Sequence, residues 1–67
     1  MFHAGCTYRH PDCLDVDLYV VRVINTSPLG QELKVQYVTQ NTKRLIEEDT
    51  VLVQTEDVKN WFEVEDV

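Results

Sequence analysis

The sequence predicts an all-β domain of five strands with one helical turn before the last strand. Three observations carry this reading. Six of the twelve residues in 15–26 (DVDLYVVRVINT) are Val, Ile or Tyr, side chains that suit a pleated surface. Residues 31–40 (QELKVQYVTQ) alternate apolar and polar, the signature of a half-buried antiparallel strand. The one helix-start signal is Thr55-Glu56-Asp57, close to the C-terminus.

The elements follow in order. A short first strand is expected at Gly5 to Tyr8, ended by the turn chemistry of Pro11-Asp12. In the second strand, Val16, Leu18, Val20 and Ile24 are placed on one face, and Tyr19, Val21 and Val23 on the other. The breaker cluster 25–30 makes a loop of about five residues into the third strand. There Leu33, Val35 and Tyr37 face inward. After the polar turn 41–44, Leu45-Ile46 form a brief extended pair, and Thr50 to Gln54 form the fourth strand. Thr55 caps a 3₁₀ or single α-turn over Asp57 to Asn60, with two acids at its positive end. Trp61 to Val64 close the sheet.

Five strands with a helical turn before the last is the layout of an SH3-like small barrel; an open antiparallel meander is the other arrangement this order allows. Closure would remove the exposed strand edges of a small sheet. The opening Gly5-Cys6-Thr7-Tyr8-Arg9-His10 has the form G-x-x-Y-R-H. Two strands follow it, the second with Val35-x-Tyr37, and the aromatic pair Trp61-Phe62 closes the chain. This order resembles short uncharacterised bacterial and bacteriophage proteins with the same opening and an SH3-like barrel. It departs from them at Asp12 to Asp17, which is longer and more acidic. The resemblance implies a fold and carries no catalytic residues over.

Length and charge narrow the function. The 67 residues are read as one domain, with 1–4 and 65–67 frayed. A domain of this size must commit most of its large apolar side chains to its core, which leaves little to enclose a substrate pocket of about 300 Å³. The net charge is −6, and residues 45–67 hold eight acids against one base. An acidic chain disfavours direct nucleic-acid binding, which rests on Lys and Arg neutralising phosphates. The longest apolar run, Leu18 to Val21, is far short of the roughly 18 residues of a membrane span. No signal peptide is visible, so the cytoplasm is expected, with Cys6 and Cys13 reduced.

Five candidate constellations remain. His3-x2-Cys6 and His10-x2-Cys13 have the two-residue gaps of zinc sites, so a zinc-stabilised mini-domain is one reading; core and surface roles are the plainer one. A cysteine nucleophile lacks an orienting third group, and Asp15 with Asp17 lacks the loop of a calcium site. Tyr8, Tyr19 and Trp61 are candidates for a peptide-binding groove, against a core role for the same rings. Glu47, Glu48 and Asp49 head the acidic C-terminal part, which is either a solvated coat, a docking face for a basic protein, or a phosphate mimic that occupies a nucleic-acid-binding protein. The reading taken is a small acidic, non-enzymatic, cofactor-free protein-interaction module, with the role of a bacteriophage or bacterial accessory protein that modulates a host factor. Tyr8, Tyr19, Trp61, Glu47, Glu48 and Asp49 are its contact residues, and the partner is a protein with a basic surface. Pairing of sheet edges between two copies is a further expectation.

Overall fold

The computed structural model describes residues 1–13 and 15–64. Its strands are β1 (Thr7–Arg9), β2 (Val16–Ser27), β3 (Gly30–Thr39), β4 (Leu45–Gln54) and β5 (Phe62–Val64), with the helical turn α1 (Thr55–Val58) before β5. They form one antiparallel sheet in the order β4-β3-β2-β1-β5. The predicted all-β layout is therefore present, in its open form: the sheet is not closed into a barrel. Both outer strands carry acids on the core side. Glu47 and Asp49 lie opposite Tyr37 and Val35, and Glu63 lies opposite Tyr8. Inward-pointing charge is a known device for blunting sheet edges, and joining these two would bring like charges together.

Strand β1 lies at Thr7–Arg9 in place of Gly5 to Tyr8, and β5 starts at Phe62 in place of Trp61; three further boundaries also differ from expectation. The β2–β3 connection has two central residues, Pro28 and Leu29, because Ser27 pairs with Gly30 and the Ser27 hydroxyl accepts the Leu29 N–H at 3.2 Å. Proline presets the first central position of such a turn. The acids 47–49 continue β4 instead of interrupting it, with one irregularity at the Tyr37/Val38 step of β3. The helical turn starts at Thr55, and Gln54 is its cap without a side-chain bond. The Thr55 hydroxyl instead donates to the Pro28 carbonyl at 2.9 Å, and its N–H to the Leu29 carbonyl at 3.1 Å. The turn is thereby tied to the β2–β3 connection as the chain crosses from one edge of the sheet to the other.

The core is one face of the curled sheet: Phe2, Tyr8, Leu18, Val20, Leu33 and Val35, with Cys6, Val23, Tyr37, Val51, Val53, Val58 and Trp61 packed around them. Two register shifts in β2, between Val20 and Arg22 and between Val23 and Asn25, decide who joins it. Each bulge moves the alternation by one residue. Val23 therefore reaches the core, and Ile24, expected inside, is exposed.

In residues 1–4, expected to fray, Phe2 is packed into the core while Met1, His3 and Ala4 are exposed. Phe2 is among the largest fully buried side chains, and Gln31 clamps its backbone: the Phe2 N–H donates to Gln31 Oε1 at 2.9 Å, and Gln31 Nε2 donates to the Phe2 carbonyl at 3.2 Å. Residues 65–67, expected to fray, lie outside the described residues. On the opposite face Asp17 is buried and takes two bonds from Arg9, at 2.8 and 3.0 Å. No described buried side-chain polar atom lacks a partner. No described helix is long and apolar enough to cross a membrane.

Candidate functional site

The four potential zinc ligands do not converge. Each His-x2-Cys pair is a backbone turn in which the Cys N–H donates to the His carbonyl, at 3.3 Å for Cys6 to His3 and 3.0 Å for Cys13 to His10. The two-residue gap is thus the spacing of a tight turn. Strand β1 runs between the turns, and four residue steps of extended chain set Cys6 and His10 about 13 Å apart. Zinc needs its ligands within about 2.3 Å of one point. Among the described residues no three His, Cys, Asp or Glu side chains are grouped to hold a metal. Cys6 packs at the core edge and Cys13 is exposed. His3 is exposed, and its N–H donates to the Tyr8 hydroxyl at 2.8 Å. His10 stacks edge-on against Trp61, with centroids 5.1 Å apart, and its Nδ1 accepts the Asp12 N–H.

Nor do the three aromatic candidates form a groove. Tyr8 is core, edge-to-face with Phe2 at 4.6 Å. Trp61 is half-buried and leans on Phe2 at 6.0 Å. Tyr19 is half-buried on the other face of the sheet, between Thr7 and Gln36. A chain this short needs its large rings for packing, and the alternation of β1 and β2 sends Tyr8 and Tyr19 to opposite faces.

The acids do come together, along one strand. Glu47, Glu48 and Asp49 are all exposed on β4. They divide between the faces: Glu47 and Asp49 sit on the core side at its open rim, and Glu48 sits on the outer side, accepting a 2.7 Å bond from Gln36. A partner lying against either face alone would meet only part of this charge. One lying along the strand's free edge would meet all of it.

The rim charge acts on Tyr37. Burial raises its phenol above the ordinary value, and repulsion from Asp49 and then Glu47 adds to the rise. Tyr8 is raised as well, chiefly by burial, with the bond from the His3 backbone opposing. A folded-state pKa above the unfolded one means that the folded protein holds the proton more tightly. Stability is then full below the unfolded phenol value of about 10 and is lost as pH rises through the higher folded value. Tyr37→Phe is expected to flatten this alkaline loss, read as the urea midpoint across about pH 9 to 12. Identical pH slopes for variant and parent would refute the assignment.

Two residues of this surface escaped the sequence reading. Leu52 is 64% exposed on the outer face of β4, and Leu29 is 81% exposed at the β2–β3 turn. With Pro28, Gln54, Thr55 and Glu56 they line an open hollow of about 580 Å³. Alternation along Val51-Leu52-Val53 carried the signal for Leu52, since two core-facing valines force the leucine between them outward. For Leu29 there was none, because its place depends on the turn. No family model, curated protein or solved structure matches the chain.

Proposed function

We propose that this protein is a non-enzymatic interaction module that docks a basic region of another protein along the margin formed by β4. The observation that carries the reading is the exposure of Glu47, Glu48 and Asp49 in consecutive positions on an outermost strand. The charge asymmetry supports it, since the acidic excess is concentrated from residue 45 onward. Opposite charge steers encounter and selects the partner, and this contribution weakens as salt rises.

Paired affinity capture from the source organism tests it, with the parent chain and the Glu47→Lys, Glu48→Lys, Asp49→Lys chain as baits at low salt. The three side chains are exposed, so the reversed chain keeps its fold, which its thermal melt verifies. Basic proteins held by the parent are expected to be lost by the variant and released from the parent at about 0.5 M salt. Retention of the same proteins by both baits would reject the reading.

A further inference from the structure

Strand β4 is ten residues long and pairs only with β3 among the described residues. Its other side presents about five N–H and five C=O groups, the template on which a further strand pairs; one of these donors, the Thr50 N–H, is held by the Asp49 carboxylate at 2.8 Å, which a cationic segment would draw away. Natural edges of this length are blunted by charge, proline, a bulge or a cover. The first half of β4 has the inward acids Glu47 and Asp49 and an irregular register near Ile46. The second half, Thr50 to Gln54, has no charge, no proline and no register shift. The strand is therefore protected at one end and open at the other.

We infer that the free edge of β4 takes up an extended segment of the partner as a sixth strand, basic opposite Glu47 to Asp49 and apolar opposite Val51 and Val53. This rests on the basic-partner reading above and adds the form in which the partner binds. Charge complementarity selects the occupant. A second copy would bring another −6 to a margin that is already acidic. A cationic segment meets Glu47 and Asp49 on one face of the enlarged sheet and Glu48 on the other, which no partner on a single face can do. The open hollow lined by Leu29, Leu52 and Glu56 lies on the outer face at this end of the strand, beside the position opposite Leu52. Main-chain bonds hold such a segment, and alternate side chains give it selectivity.

The probe is the nine-residue peptide TVTVTKRKT, fluorescently labelled and titrated against the whole chain. Laid antiparallel from Gln54, it sets valines opposite Val53 and Val51 and its basic triplet opposite Asp49, Glu48 and Glu47. Two further peptides are N-methylated, one at the odd and one at the even positions. Only one of these series removes the donors that face β4. That series is expected to lose at least about 30-fold in affinity, and the other to stay within about threefold of the unmodified peptide. The charge-reversed chain, shown folded by its thermal melt, is expected to lose TVTVTKRKT and to bind TVTVTEEET, with the same dependence on which N–H series is methylated. Equal binding of both methylated series would overturn strand addition and leave a side-on basic partner standing. No peptide binding, with capture still abolished by charge reversal, would also overturn it. No peptide binding together with unchanged capture would remove both readings.

Discussion

Replacing Phe2 with alanine is expected to leave the protein largely unfolded at 25 °C. Phe2 is 2% exposed and stands at the centre of the aromatic packing, with Tyr8 at 4.6 Å and Trp61 at 6.0 Å. Truncating a buried Phe to Ala costs about 3–5 kcal/mol, from lost transfer energy and the cavity left behind. A core of this size supplies only about 3–5 kcal/mol of net stability, so the loss is comparable to the whole. Phe2→Leu fills part of the cavity and is expected to remain folded with a lowered urea midpoint. Circular dichroism during urea titration separates the three proteins. A parent-like midpoint for Phe2→Ala would mean that the first residues do not belong to the core.

Gly30→Ala is expected to cost about 2–3 kcal/mol. Gly30 has φ +157°, and a Cβ there would sit 2.3 Å from the Val53 carbonyl oxygen and 3.0 Å from Gln54 Cα. Both obstacles are backbone, so no rotamer change relieves them and β4 itself must move. Gly30 pairs with Gln54 at the start of the β3–β4 ladder, so the displacement reaches the edge strand directly. Gly5→Ala is the comparison. Gly5 has φ +85° with nothing within 4 Å of its Cβ position, so only the left-handed backbone is penalised, at about 1 kcal/mol. Urea midpoints measured side by side should fall in the order parent, Gly5→Ala, Gly30→Ala. A reversed order would show that β3 and β4 are not in the close approach described here.

How much of this was legible follows from the range over which each signal acts. Alternation in Leu33, Val35 and Tyr37 is a property of neighbouring residues, and it located β3 and its core face correctly. The same reasoning failed in β2, where two bulges bring Val23 inside and leave Ile24 outside. A bulge answers the twist of paired strands, which a single strand's pattern does not contain. His-x2-Cys leaves ligand spacing open beside plain core and surface roles, and in the fold each gap is that of a tight turn, because the same gap serves both. The acids 47–49 looked like an interruption between two short strands. Pairing with Val35, Gln36 and Tyr37 makes them part of one strand, since an edge position leaves their carboxylates in water.

Composition and local periodicity were enough for an acidic, all-β chain, its strand sequence and the helical turn before β5, because these depend on residues close together in the chain. Tertiary structure alone decided that the described sheet stays open, that Phe2 and Tyr8 are core, and that the acids line an outermost strand. Each of those depends on which strand lies beside which, and that is settled by register and burial between residues far apart in the chain. Phe2 and Gln31, 29 positions apart, are joined by two hydrogen bonds that no local pattern announces.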